Sequence, residues 1–187
     1  MIGYAFCGSF CTLTQSLSAL KILLAQGYEV QPIMSETVHA TDTRFWQAKD
    51  FLAQVKHLCQ RDVIYSIVDA EPLGPKTKLD ALVIAPCTGN TLAKMAHGIT
   101  DTTVTMAAKA HSRCNRPLLI ALASNDAMSA NLANIATLLA RKSVYFVPMK
   151  QDDPVGKPHS LVADFGLLPE CLYSCVAGRL QKRPLFV

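Results

Sequence analysis

The chain has 187 residues, half of them hydrophobic, seven cysteines and a formal charge of +4. That length suits one domain able to bury about 70% of its unfolded surface. No apolar run approaches the roughly 18 residues of a membrane span, and no basic stripe is interleaved with aromatics, so neither a membrane nor nucleic acid is expected as a partner.

The opening Ile2-Gly3-Tyr4-Ala5-Phe6 reads as a first strand and lacks the basic stretch and cleavage site of a secretory leader. A helix follows, with Leu13, Leu17, Leu20 and Leu24 on one face and Gly27 as its stop. Residues 28–34 read as the second strand, 42–59 as a helix carrying Phe45, Leu52, Val55 and Leu58, and 63–68 as a short extended piece. Glu71-Pro72-Leu73-Gly74-Pro75 is a loop by its turn residues. Residues 79–84 are an almost continuous apolar run, the pattern of a strand buried on both faces of a parallel sheet. Pro86 is expected to stop it, because proline cannot extend a ladder. The next helix has Leu92, Met95, Ala96 and Ile99 as its buried stripe and ends at Gly98. Residues 102–111 form another helix, capped by Thr100 or Asp101. Then come a buried strand at 117–123, a helix at 128–140, a strand at 143–147, a polar loop at 151–158, and a closing helix through Gly178 with Ser160 as its cap.

Strand and helix thus alternate throughout, which predicts a single-domain, three-layer α/β/α Rossmann-like (flavodoxin-like) fold on a parallel sheet. Right-handed crossovers place the strand-to-helix loops at 7–12, 34–42, 86–91 and 123–128 on one edge, where open α/β sheets bind ligands. These loops carry Ser9, Thr12, Ser35, Thr37, Thr88, Asn90, Thr91, Ser124 and Asn125, neutral donors suited to a phosphate with a polar heterocycle beside it. Neither G-x-G-x-x-G nor G-x-x-x-x-G-K-[ST] is present, which disfavours NAD and ATP by those routes; a single phosphate fits better. The cysteines are odd in number, hold no C-x-x-C pair and lack zinc-type companions, so they read as buried thiols in a reducing cytoplasm, with no metal site. His97 and His111 fall at helix C-termini, where partial protonation meets the dipole favourably. Cys87 is the one thiol that a helix N-terminus could activate, although its neighbours suggest a packing role.

Pro86-Cys87-Thr88-Gly89-Asn90-Thr91, continuing to Met95-Ala96-His97-Gly98-Ile99-Thr100-Asp101, resembles the P-A-S-A-N-T…A-x-G-I-x-D segment of the homo-oligomeric FMN-binding cysteine-decarboxylase-type flavoproteins. The Gly8-Ser9 loop and the Met34-Ser35-Glu36 turn fit the same family. Val104-Thr105-Met106-Ala107-Ala108-Lys109-Ala110-His111, Tyr145-Phe146-Val147-Pro148, Gln151-Asp152-Asp153-Pro154 and Lys157-Pro158-His159-Ser160 narrow the resemblance to the branch formed by the B-type subunits of dipicolinate synthase. The resemblance implies FMN held by Gly8, Ser9, Ser35, Pro86, Thr88, Asn90 and Thr91. It also implies Asn125 at the catalytic position, a homo-oligomer built from trimers, and a cytoplasmic setting in the mother cell of a spore former.

Two departures matter. The decarboxylases carry a catalytic histidine about fourteen residues before the motif proline, where Pro72 stands here, and no histidine lies between His57 and His97. Their P-x-M-N-x-x-M-W motif keeps only Asn125 and Met128. Decarboxylation is therefore not expected. What the resemblance implies instead is formation of pyridine-2,6-dicarboxylate from a dihydrodipicolinate-level precursor, together with an A-type subunit of dipicolinate synthase that binds NAD(P). Lys157, in the 151–158 loop read as a flap, would meet the small dicarboxylate substrate. The other class of reading is a scaffold for that A-type subunit, in which FMN binding is weakened or lost; an FMN-dependent decarboxylase-type enzyme is a third. The apolar helix at 102–110 suits either the core or an oligomer interface.

Overall fold

The computed structural model describes residues 1–178 and residue 185. Among these, five strands form a parallel sheet: β1 (Ile2–Phe6), β2 (Val30–Met34), β3 (Leu82–Cys87), β4 (Leu118–Ser124) and β5 (Val144–Phe146). Their order is β2-β1-β3-β4-β5, the flavodoxin-like order, in which the winding reverses between β1 and β3. Every residue of β1, β3 and β4 is buried, which is why these segments read as unbroken apolar runs. On one side lie α1 (Leu13–Ala25), α3 (Ala48–Cys59) and α8 (Leu168–Val176); on the other, α4 (Ile67–Ala70), α5 (Gly89–Ala96), α6 (Thr103–Ser112) and α7 (Leu132–Leu139). Between β2 and α3 sits the short α2 (Glu36–Ala40).

The sheet is not wholly parallel, contrary to the expectation from sequence. The segment expected to begin a closing helix at Ser160 instead forms β7 (Leu161–Ala163), antiparallel to β4 and to β6 (Met149–Lys150). Ser160 caps no helix. The residues after it alternate buried and half-buried, a strand period that three residues are too few to announce. The last helix starts only at Leu168, with Pro169 in its first turn. Pro86 does not end β3 either: the strand runs on to Cys87, and the ladder to β4 shifts register between Ile84 and Cys87, where a missing N–H is tolerated. The Ala85–Pro86 peptide is cis.

Other boundaries moved for identifiable reasons. The helix read over 42–59 begins at Ala48, because the Asp42 carboxylate accepts the Ala48 N–H and Thr43 holds the preceding residues in a turn. The extended piece at 63–68 reduces to one bridge, Ile64 to Ile33, before Ser66 caps α4. Neither Thr100 nor Asp101 caps α6; Thr102 does, in a reciprocal pair with Thr105. The α7 helix begins at Leu132, four residues later than its apolar pattern suggests, since Asp126 holds the intervening residues in turns. Ile99 lies beyond the end of α5 and is 47% exposed, so it is no part of the buried stripe.

Helix α6 spends its apolar face inside the chain. Thr103, Val104, Thr105, Ala107, Ala108, Ala110 and His111 are all buried, so its composition reflects the core. His111 is not the partly protonated terminal histidine read from sequence. Its Nε2–H donates to the Pro117 carbonyl at 2.9 Å, while buried Nδ1 has no partner among the described residues. Burial therefore lowers its pKa, since a second proton on Nδ1 would have no acceptor. A folded-state pKa below the unfolded value means stability is full above about pH 6.5 and lost as pH falls through the lowered value. His111→Gln keeps a donor for Pro117 without that titration. Thermal melts from pH 7 down to pH 5 should therefore fall less for this variant than for the parent; parallel curves would show that His111 does not titrate on unfolding.

Candidate functional site

The winding reversal between β1 and β3 leaves the loops after these strands without a helix crossing between them. They open into a cleft of about 940 Å³ at the carboxyl edge of the sheet. Its walls are residues 8–12 after β1, Thr88, Gly89 and Asn90 after β3, and residues 123–126 after β4. Arg44 and Phe45 approach from the turn before α3, and Asp152 with residues 156–160 comes from the loop between β6 and β7.

Six of the nine site residues read from sequence line this cleft: Gly8, Ser9, Thr88, Asn90, Asn125 and Lys157. Ser35, Pro86 and Thr91 do not. Ser35 is buried and its Oγ caps α2 by accepting the Val38 N–H at 3.3 Å. Pro86 lies buried within β3. Thr91 sits one turn into α5, where its hydroxyl accepts a 3.0 Å bond from Thr88 Oγ1, which itself accepts the Thr91 N–H. Glu36, in the same turn as Ser35, turns away and accepts from the Thr103 N–H and hydroxyl at the start of α6.

At the phosphate-sized end, the chain after β1 enters a 3₁₀ turn, Phe10–Thr12, that leads straight into α1. Thr12 donates its hydroxyl to the Ser9 carbonyl at 2.9 Å and lies 3.1 Å from Ser9 Oγ, which holds the turn closed. Phe10 and Phe45 line the cleft, the Arg44 guanidinium lies over the Phe45 ring at 4.8 Å from its centroid, and Lys157 brings a second positive group. Lys157 is not free: it pairs with Asp152 at 3.0 Å, raising its own pKa, while its backbone N–H bonds the Asp153 carbonyl. The loop read as a flap is exposed and tied by these bonds and by Gln151 to the Pro158 carbonyl at 3.0 Å.

The start of α5 is arranged differently from what the sequence suggests. Its N-terminal dipole faces this chain's own carboxylate. Asp126 accepts bonds from Ser124 Oγ and from Asn131 Nδ2, the latter at 2.9 Å. These donors, Ser124 foremost, lower its pKa, so it is ionised at neutral pH. The three side chains pack closely on Gly89: a Cβ there would collide with Ser124 Oγ and come within 2.6 Å of Asn131 and 2.9 Å of Asp126. An ionised Asp126 thus lies on the cleft wall beside the first turn of α5, with the Ser124 hydroxyl and the Asn131 amide committed to it. Asp126→Ala strands Ser124 and Asn131 without their acceptor and should destabilise the fold by about 2 kcal/mol; Asp126→Asn should recover part of that. Chemical denaturation measures both, and an unchanged midpoint for the alanine variant would show the cluster to be inert.

Cys7 and Cys87 flank the cleft floor from within the core. Burial pushes the Cys7 thiol up to about 11 and holds Cys87 higher than a free thiol, so both are protonated packing groups and no activated nucleophile arises there. Sequence reasoning missed Phe10, Arg44, Phe45, Asp126 and His159. For Asp126 a signal existed: Ser124, Asp126 and Asn131 follow an apolar strand as a turn-forming polar set.

The sequence profile of the Flavoprotein family matches residues 1–167. The B subunit of dipicolinate synthase from Bacillus subtilis (strain 168) is 40% identical over 186 residues, covering 100% of this chain and 92% of that protein. The crystal structure of the corresponding dipicolinate synthase B subunit from Bacillus halodurans superposes with a TM-score of 0.89 at 39% identity, over 100% of this chain and 95% of that one. The structure of the FMN-dependent cysteine decarboxylase SpaF shares the fold at a TM-score of 0.69 and 22% identity, over 95% of each chain.

Proposed function

Since the chain belongs to the Flavoprotein family, we propose that it is the B-type subunit of a dipicolinate synthase. In this reading it forms pyridine-2,6-dicarboxylate from a dihydrodipicolinate-level precursor together with a nicotinamide-binding A-type subunit of the same synthase. The setting is the mother-cell cytoplasm of a spore former, and the assembly is a homo-oligomer built from trimers. Among the described residues no helix is long and apolar enough to cross a membrane. The observation that supports the reading best is the cleft at the winding reversal, which joins a hydroxyl-rich turn, two phenylalanines, Arg44 and the Lys157–Asp152 pair, in a chain similar to a B-type dipicolinate synthase protein along its whole length.

The donor set fits FMN. Ser9 Oγ, which accepts from Thr12 and keeps its own proton to donate, matches a phosphate monoester together with Arg44; Phe10 and Phe45 supply apolar surface for a flat ring; the Asn90 amide offers a donor and an acceptor to the ring edge, and the Thr88 and Ser124 oxygens can accept from ring N–H groups. Ser35, Pro86 and Thr91 keep a supporting role, since each fixes the backbone beneath these contacts. When bound, FMN supplies a two-electron acceptor for the hydride that aromatisation must release. The chain's own residues then have distinct tasks. The Asn125 amide orients a substrate carboxylate, and Lys157 offers it a cation by exchanging its Asp152 partner for the substrate. His159 brings an imidazole to the cleft mouth, placed to take the accompanying proton, while its backbone carbonyl accepts the Met128 N–H at 3.0 Å.

Decarboxylation finds no such support. Pro72 lies half-buried in the 71–75 turn, away from the cleft, and carries no proton to transfer. Incubation with a cysteine-terminated peptide should release no carbon dioxide; measurable release would reverse this assignment. The synthase reading itself is tested by mixing the chain with the nicotinamide-binding A-type protein and precursor. Dipicolinate should accumulate only with both proteins present, and equal production by the A-type protein alone would overturn it.

A further inference from the structure

A second pocket, of about 340 Å³, lies at the opposite edge of the sheet, at the far end of α5 from the cleft. Its apolar wall is Met95, Ile99, Ala108, Leu118 and Leu138. Its charged lining is entirely cationic: Lys109, Arg113 and Arg141, with no acidic side chain. Three helices, α5, α6 and α7, end here together, and cations at helix C-termini are ordinarily explained by the dipole. That explanation accounts for Arg141, which donates to the Met95 and Ala96 carbonyls at 3.2 and 2.9 Å. It does not exhaust the charge. Lys109 and Arg113 share the single α6 terminus, where roughly −0.5 of dipole charge meets two full cations. Among the described residues neither Lys109 nor Arg113 makes an ion pair, and the nearest acid in sequence, Asp101, is held by Lys94 at 2.9 Å outside the lining.

From this combination we infer that the pocket is a binding site for a compact organic carboxylate, an anionic head on a flat or branched apolar body. The body displaces water from the Met95–Ile99–Leu138 wall, and the carboxylate lies between Lys109 and Arg113, with the Arg113 fork able to take both oxygens. The volume is at the small end of ligand pockets, which selects one ring or its equivalent over a nucleotide. The cleft assignment plays no part in this inference, and the two sites lie at opposite ends of α5 and β4.

Benzoate and its neutral isostere benzamide are suitable probes, titrated into the full chain while methyl resonances of Ile99, Leu118 and Leu138 are followed. Benzoate should saturate these shifts with a dissociation constant of about 1 mM or tighter, and benzamide should bind at least about tenfold more weakly. The double variant Lys109→Gln/Arg113→Gln should weaken benzoate about tenfold or more, as should Ile99→Glu, which sets a like charge at the rim; Lys157→Ala should change nothing here. All of these positions are exposed or nearly so, and a melt confirms the fold of each variant. The inference is overturned if benzoate fails to shift these methyls, if benzamide binds equally, or if the double variant retains full affinity. It is overturned equally if the variants alter the oligomeric state without ligand, since the pocket would then be covered by a second copy of the chain.

Discussion

Phe51→Ala is expected to destabilise the protein by about 4 kcal/mol, the loss typical of an aromatic side chain deleted from a packed core. Phe51 is 1% exposed and meets Phe6 edge-on at 5.2 Å and Trp46 at 5.3 Å. It is the contact through which α3 is clamped to the end of β1. The consequence reaches the site. Trp46 is fixed on its other side by an Nε1–H bond to Thr14 Oγ1 at 3.3 Å, and the turn it closes presents Arg44 and Phe45 to the cleft. Loss of Phe51 should therefore lower the melting temperature by about 8–16 °C and weaken ligand binding at the cleft below that temperature. Phe51→Leu, which leaves a smaller void, should cost about 1–2 kcal/mol and spare binding. Denaturant midpoints and a binding titration of both variants check this. A loss under about 1 kcal/mol for the alanine variant would mean that the aromatic cluster does not hold α3.

Asn125→Ala should instead lower turnover with little change in stability. Asn125 is exposed at the cleft wall, so its removal opens no cavity. If its amide orients a substrate carboxylate, deleting it removes a hydrogen bond to a charged group, worth roughly 1.5–3 kcal/mol, or about ten- to a hundredfold in rate. The neighbouring Asp126 supplies the contrast, since its alanine variant should lower stability first. Steady-state rates with the A-type protein present and melts on the same preparations separate the two. Wild-type turnover for Asn125→Ala would reduce the residue to a turn former.

The fold was legible because two independent patterns agreed. Doubly buried strands such as β3 and β4 appear as unbroken apolar runs, and helices such as α1 repeat leucine at three and four residues. The right-handed crossover rule then sets the strand-to-helix loops on one edge. What escaped were elements too short to show a period. β7 has three residues and β6 two, so the antiparallel extension that carries Lys157 and His159 to the cleft left no trace in the pattern. Helix starts were misplaced wherever a distant side chain supplied the cap, as Asp42 does for Ala48. The main motif lies on a strand-to-helix joint, and three of the residues read with it do not line the cleft: Ser35 caps α2, Pro86 lies within β3 and Thr91 pairs with Thr88. A hydroxyl in a loop can cap a helix or face a ligand, and composition does not distinguish these uses. Nor does sequence reveal that Ser124, Asp126 and Asn131 cluster against the start of α5, because that depends on Gly89 allowing three side chains to within contact of the backbone.

The central claim is that the cleft at the winding reversal holds a flavin by its phosphate at the Gly8–Thr12 turn. Titrating FMN and riboflavin into the purified chain, with absorption and flavin fluorescence as readouts, tests it most directly. FMN is expected to bind with perturbed flavin bands, and riboflavin, lacking the phosphate, at least about a hundredfold more weakly because the contacts to Ser9 and Arg44 are missing. Equal affinity for the two, or no spectral change with FMN in correctly folded protein, would contradict it.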